Sequence, residues 1–362
     1  MKIEIEQKDL SAVLTKVVGV INKRNTIPIL ANVLISADDN IVTIRATDLD
    51  IEAASSIECK VIEPGETTVP ASLISNIVKK YETGPIEIIE GGNRVTIRQG
   101  ASKFDLSTLP AAEYPNVFTG EYDASFELGS DEIKRIFGKA MFAVSNEEFR
   151  YYLKGIYFHP TKRGLTAVAT DGVVLAKTWT DFSEDFTGVI VPKKTVETLL
   201  KVITCGPIRV SVGMKSIMFD AGETTITSKV VDGAFPDYTR VIPQDNNDIF
   251  TVGAETFIDA VKRVSVVCAG GQNSQIKLSI RDGVIQISVS GTTNNAEEYI
   301  DADTNGDHSD ILLNPLFLSD ILAQCTGGDV SFAYTASQNS PVIITSTKDD
   351  KFLSVIMPMR SV

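Results

Sequence analysis

The chain has 362 residues, 43% of them hydrophobic and 22% charged, with a formal net charge of -13. That length exceeds one ordinary core and predicts two or three domains. No apolar run reaches membrane-spanning length, and the acidic balance argues at first sight against a nucleic-acid partner.

The opening "MKIEIEQKDL" alternates apolar and polar residues as a strand does, so no secretory leader is expected. A helix follows at once in "KIEIEQKDLSAVLTKVVGVI": Leu10, Val13, Leu14, Val17 and Val18 fall on one face, with Asp9 as the cap. The same shape returns in "SFELGSDEIKRIFGKAMFAV", where Ile133, Ile136, Phe137 and Ala140 form the apolar face and Asp131 the cap. It returns again in "IFTVGAETFIDAVKRVSVVC", with Phe257, Ala260, Val261 and Val264. Ile3, Phe126 and Phe250 occupy matching positions, so the period is 123 to 124 residues.

A second series interleaves with the first: "TVPASLISNIVKKY", "VIVPKKTVETLLKVI" and "ILLNPLFLSDILAQC". In each a strand runs into a proline, Pro70, Pro192 or Pro315, which suits the first turn of a helix. The intervals read as strands: "NIVTIRATDL", "RVTIRQG", "TTITSKVVDG", "GVIQISVSG" and "SPVIITSTKDDKFLSVIM". The expected fold is α+β, three similar domains each with two helices packed on antiparallel sheet. Breaks at "FTGEYD" and "PQDNND" set the domains at 1–121, 122–247 and 248–362.

Thirteen residues after the anchors lie Lys16, Lys139 and Arg263, expected opposite the apolar stripe. In the second series Lys79 matches Lys201, with Lys80, Lys193 and Lys194 nearby and Gln324 in the third copy. A charge kept in register across repeats builds a basic stripe. Acidic residues gather instead in strands and turns such as "SADDN", "DADTNGDHSD" and "TKDD".

Cys59, Cys205, Cys268 and Cys325 make no CxxC pair and read as reduced, buried thiols. His159 and His308 lie far apart, no phosphate-binding glycine motif is present, and "AGGQNS" reads as a loop. Asp171 in "ATDGVV" belongs to a turn pair. No cofactor, metal or catalytic residue is expected. The rival reading, an enzyme on a repeated scaffold using acids such as Asp171, has no motif behind it.

With its repeat, the chain resembles the bacterial DNA polymerase III beta subunit family, the sliding clamps. The likeness runs through "NKRNTIPILANVLI", "ATDLDIE", "TVPA" and "FDLSTLPAAEYPNV", then "RYYLKGIYF", "ATDGVVLA", "VIVPKK" and "TSKVVDGAFPDYTRVIP", and ends in "VIMPMR". It implies a non-catalytic, cytoplasmic bacterial protein whose two chains join head to tail into a ring, helices inside and sheets outside. The ring encircles duplex DNA without sequence preference. An acidic exterior with weak inner phosphate contacts then conflicts with nothing. Implied partners are the polymerase III alpha subunit, clamp-loader subunits and other proteins bearing a clamp-binding motif, and no membrane.

The resemblance places a partner-peptide pocket at Leu153, Thr170, Gly172, Val173, Val174, Leu175, Pro236, Arg240, Val241, Pro341, Val355, Met357, Pro358, Met359 and Arg360. A methionine wall suits a surface that accepts many partners. Implied DNA contacts are Arg24, Tyr151 and Tyr152 with Lys16, Lys79, Lys80, Lys139, Lys193, Lys194, Lys201 and Arg263. At the seam between chains, Val266 and Val267 would meet Phe104 and Leu106, and Arg98 and Lys103 would face Glu297 and Glu298. The chain departs from the family pattern at Val173 and Val174, where His-Arg is usual, at Glu147 and Glu148 before "RYYL", and in its added Ser361 and Val362.

Overall fold

The structure, a computed structural model, describes residues 1–22, 26–118, 120–268, 274–290, 294–335 and 340–360. Six α-helices are present among them: α1 (Gln7–Val18), α2 (Ala71–Lys80), α3 (Ser130–Met141), α4 (Lys193–Val202), α5 (Ala254–Ser265) and α6 (Pro315–Leu322). The chain divides into two compact units, Met1–Ile133 with Lys194–Val230, and Lys134–Lys193 with Val231–Val362. Each unit takes part of the middle repeat, because each of the two large sheets is continuous with the strands of one neighbouring repeat.

In the first unit a five-stranded antiparallel sheet runs Lys60–Glu63, Lys2–Glu6, Pro85–Gly91, Arg94–Gln99, Ser102–Ser107. An eight-stranded sheet runs Ala124–Gly129, Pro207–Val212, Ser216–Asp220, Thr224–Lys229, Ile51–Glu58, Ile41–Thr47, Asn32–Asp38, Gly65–Pro70. Leu10, Val13, Leu14 and Val17 of α1 and Ile74 and Val78 of α2 are buried among Ile3, Ile35, Ile44, Ile88 and Ile97 of these sheets. The 3.6-residue period of the helices and the two-residue period of the strands thus supply one core.

The second unit has a nine-stranded sheet in the order Val189–Pro192, Gly155–Thr161, Gly164–Thr170, Val174–Trp179, Phe352–Ile356, Val342–Ser346, Asp329–Tyr334, Asp248–Gly253, Asp303–Asn305. A four-stranded sheet runs Asn295–Asp301, Val284–Ser290, Ile276–Arg281, Ser309–Leu313. Phe250 stacks on Phe332 at 4.4 Å between ring centroids, and Phe257 of α5 meets Phe332 edge-on.

Repeats are joined by strand pairing, in the same register both times. Ile226 lies opposite Ala53 in the first unit, and Ser354 opposite Ala176 in the second. Ile226 and Ser354 are matching positions of the repeat, as are Ala53 and Ala176.

Several expectations need correction. Asp9 and Asp131 stand in the first turns of α1 and α3 rather than at the caps; the α1 cap is Glu6, with no side-chain hydrogen bond. Pro70 and Pro192 are the last residues of strands, because each takes part in a ladder, opposite Asn32 and Gly155; only Pro315 opens a helix. Cys325 alone is buried, Cys59 and Cys268 are half-buried and Cys205 is exposed. Among the described residues no helix is long and apolar enough to cross a membrane. Most of the "AGGQNS" loop, and Arg24, lie outside the described residues.

Candidate functional site

Asp171 is consumed by a turn rather than left free for chemistry. Its Oδ1 accepts from the N–H groups of Val173 and Val174, each at 2.8 Å, while Thr170 Oγ1 donates to Val174 O at 2.6 Å. Gly172 has φ 96°, a conformation that favours glycine. A Cβ there would come 2.7 Å from Arg150 Nη1. Arg150 also donates to Asp171 O at 3.4 Å and pairs with Glu147 at 3.3 Å, and Leu153 donates from its N–H to Arg150 O. The turn, the arginine and the buried Leu153 thus form one edge of a site.

A loop carrying "FPDYTRV" forms a second edge. Tyr238 is buried against Val168, Leu175 and Val355, and Tyr157 stacks on Phe235 at 5.1 Å and on His159 at 4.3 Å. Tyr238 Oη meets His159 Nε2 at 3.2 Å. Burial holds His159 below its ordinary pKa, and burial pushes the Tyr238 hydroxyl up to about 12, so both are neutral near pH 7. Asp237 accepts from Thr239 Oγ1 at 2.6 Å and from Arg240 Nε at 3.0 Å, starting the short helix that presents Arg240 and Val241. Pro236 is exposed beside it.

The C-terminal segment supplies the third edge. Phe352–Ile356 pairs on both sides, whereas 357–360 lie beyond the ladders. They are still tied down: Met357 N–H donates to Val173 O at 2.9 Å, and Met359 N–H to Leu312 O at 2.7 Å. Pro341 precedes the Val342–Ile356 pair and so comes beside Met357. Leu153, Val174, Leu175 and Val355 are buried, while Val173, Val241 and Met357 are exposed. Of the two departures in the turn, only Val173 therefore reaches the surface. The arrangement gathers the exposed Val173, Val241 and Met357 with backbone and guanidinium groups around them, a surface suited to an extended apolar segment.

The basic positions divide into two kinds. Lys79, Lys80 and Lys201 stand exposed in the last turns of α2 and α4 with no ion pair among the described residues. Lys16, Lys139 and Arg263 are not free on the face opposite the apolar stripe. Lys16 pairs with Glu223 at 3.8 Å, Lys139 with Asp349 at 2.6 Å and Arg263 with Glu298. For Lys16 and Lys139 the acid comes from a hairpin turn, Glu223 between Ser216–Asp220 and Thr224–Lys229 and Asp349 between Val342–Ser346 and Phe352–Ile356. Lys194 is held by Asp48 and by Val20 O, and Lys193 reaches Asn146 at 3.2 Å. Tyr151 is exposed, edge-on to Tyr152 at 5.7 Å. The third helix pair breaks the basic pattern: Glu255, Asp259 and Asp320 outnumber Lys262 and the paired Arg263.

Asp349 joins Lys139 to Arg135, whose Nη1 lies 3.6 Å away. Burial pushes its carboxyl up, but the Lys139 hydrogen bond and the charges of Lys139 and Arg135 outweigh burial and hold its pKa below the usual value. A group lowered on folding stabilises above its unfolded pKa, and that contribution is lost as pH falls through the folded value. Asp349→Ala is expected to cost about 3 kcal/mol in urea unfolding at pH 7, because two half-buried cations lose their acceptor. The difference from wild type should shrink below about pH 4.

At the free edges, Phe104 is 42% exposed with its ring edge-on to Tyr81, and Val266 is 81% exposed at the end of α5. Leu106 is buried in the core of the first unit opposite Val95 and is not a surface group, whereas Phe104 lies on the same face opposite Ile97 and stays exposed. Arg98 lies one strand in from the edge, opposite Lys103, which pairs with Asp105 at 2.9 Å. Glu297 accepts from Gln286 Nε2 at 3.0 Å, and Glu298 is held by Arg263. Val267 is half-buried.

Comparison with known proteins converges on one family. Models of the DNA polymerase III beta subunit match as N-terminal domain over residues 1–118, central domain over 127–237 and C-terminal domain over 239–360. A beta sliding clamp of Caulobacter vibrioides is 35% identical over 99% of this chain and all of its own, and that of Escherichia coli K12 is 32% identical over 99% and all. A sliding clamp from Bartonella birtlesii solved bound to griselimycin superposes with TM-score 0.96 at 33% identity, covering all of both chains. One from Pseudomonas aeruginosa, also bound to griselimycin, gives 0.96 at 31% over the whole of both chains. With its three repeats, this chain belongs to the bacterial DNA polymerase III beta subunits, the beta sliding clamps.

Proposed function

We propose that two copies of this sliding clamp close head to tail around duplex DNA, and that the cleft beside Gly172 holds apolar segments of its partners. The observation that carries the ring is the shared register of the two internal junctions. Each sets a strand from one repeat against the strand of its neighbour, Ile226 opposite Ala53 and Ser354 opposite Ala176. Ser102–Ser107 and Asn295–Asp301 are the corresponding strands left at sheet edges. Carrying the register over puts Phe104 opposite Ala296 of a second copy, Lys103 opposite Glu297 and Ser102 opposite Glu298. The counterparts of Phe104 are covered, Ile226 being 1% exposed and Ser354 0%. An exposed Phe104 is then what an open junction looks like.

On this reading the protein is a non-catalytic tether of the bacterial cytoplasm, with domains at 1–121, 122–247 and 248–362. Duplex DNA is held by position rather than by base contacts, through phosphates near Arg24, Lys79, Lys80, Lys201, Tyr151 and Tyr152. Lys193 belongs to the same set, and Lys16, Lys139, Lys194 and Arg263 contribute less because each is already paired with a carboxylate. Partners are the polymerase III alpha subunit, clamp-loader subunits and other proteins presenting a short apolar motif. Retention on DNA tests the proposal. Protein loaded onto nicked circular plasmid by a clamp loader should stay bound, and should be lost once the plasmid is cut. Equal retention on both forms would mean direct binding and would overturn the ring.

A further inference from the structure

Residues 47–51 of the first unit and 170–174 of the second make the same turn, bond for bond. Thr47 Oγ1 donates to Ile51 O as Thr170 Oγ1 does to Val174 O. Asp48 Oδ1 accepts from the N–H groups of Asp50 and Ile51, as Asp171 Oδ1 does from those of Val173 and Val174. Leu49 N and Gly172 N each donate to the threonine hydroxyl at 3.1 Å. The surroundings match too. Leu30 and Leu153 are buried on short helices at corresponding positions, and Tyr114 and Tyr238 are buried on corresponding loops. Thr227 lies opposite Glu52 where Val355 lies opposite Leu175.

One position breaks the likeness. Where the second unit has Gly172 at φ 96°, the first has Leu49 at φ 79°. A leucine in a conformation that favours glycine is held there by its packing. Leu49 packs against Ile29, Leu30, Leu34 and Tyr114. The floor also differs, since Arg45 and Glu52 occupy the ladder positions of Val168 and Leu175. Arg45 Nη2 and Glu52 Oε2 stand 3.7 Å apart.

We infer that Leu49 fills, from within the chain, the place a partner's apolar side chain takes beside Gly172, so the first unit carries a second copy of the peptide site in self-occupied form. The inference rests on reading the Gly172 cleft as a peptide site, and it concerns the two copies of the turn among the described residues. Glu52 adds a second barrier, because an apolar ligand seated there would bury a carboxylate against a single poorly placed cation.

Calorimetric titration of the full-length protein with acetyl-Leu-Leu-Phe-amide, an uncharged peptide of apolar anchors, tests this. Wild type is expected to bind one peptide per chain, and Met357→Asp to lose it. Leu49→Gly is expected to bind two, with the second, weaker site surviving in the Leu49→Gly, Met357→Asp double variant. Gly172→Leu is the reciprocal change and should lower affinity at least about tenfold by closing the open copy. One site in a folded Leu49→Gly protein, or undiminished binding to Gly172→Leu, overturns the inference. If Leu49→Gly does not fold, Gly172→Leu decides alone. Wild type binding no peptide would overturn the peptide-site reading itself, and the inference with it.

Discussion

Phe104→Asp will leave the chain folded and make it a monomer. The ring stands on the outermost strand of the five-stranded sheet, 42% exposed with Tyr81 edge-on to it at 5.9 Å, so the core gives up little. In the proposed seam the same ring is the central apolar anchor, and replacing it with a charge removes burial and adds a desolvation cost. The dimer dissociation constant should rise at least about a hundredfold, or about 3 kcal/mol. Sedimentation equilibrium reads this directly, and thermal unfolding should move within about 0.5 kcal/mol. The register adds a sharper test. Lys103→Glu should weaken the dimer and Glu297→Lys, added to the same chain, should restore it, because each seam contains one of each. A dimer undisturbed by Phe104→Asp, or no rescue by the charge swap, would refute the register.

The second large effect concerns the cleft. Met357→Asp and Val241→Asp each place a carboxylate where an exposed apolar side chain now waits for cover. Each should lower affinity for a partner peptide by about 2–3 kcal/mol without changing the melt, since exposed positions lose no packing. Fluorescence polarisation with a labelled peptide measures it, and unchanged affinity in both variants would remove the cleft from the binding surface. Restoring the family's His-Arg pair should behave asymmetrically. Val173→His alters an exposed rim position and acts on binding alone. Val174→Arg forces a cation into a buried ladder position opposite Ile356 and should cost stability first.

Much of the architecture was legible because the repeat was legible. Ile3, Phe126 and Phe250 mark three strands that each lead into a helix, and the apolar faces read from spacing are the buried ones. The division of the middle repeat between two units was not legible. It follows from strand pairs such as Thr225 with Ala54 and Leu353 with Lys177, and pairing between distant strands leaves no periodic trace. The proposed cleft rests on resemblance, since "ATDGVV" and "MPMR" carry no chemistry of their own. Arg150 over Gly172 was missed, although the "FRYYL" run that holds it was in view. The basic stripe is legible only in part. Register shows that a cation recurs, but only the fold shows that Glu223 and Asp349 come to meet two of them. Leu49 stood in plain sight within "ATDLDIE", yet its backbone angle is what sets it apart.

The fourth strand of the nine-stranded sheet has a consequence for how the chain is made. Val174–Trp179 has one neighbour, Gly164–Thr170, close in sequence, and waits for Phe352–Ile356 on its other side. The first unit is complete once Val230 has been synthesised, whereas the second must hold an apolar open edge until the far strand is made. Nascent chains should therefore pass through a stage with one unit native and the other sticky, the stage at which chaperones have most to do and aggregation is most costly.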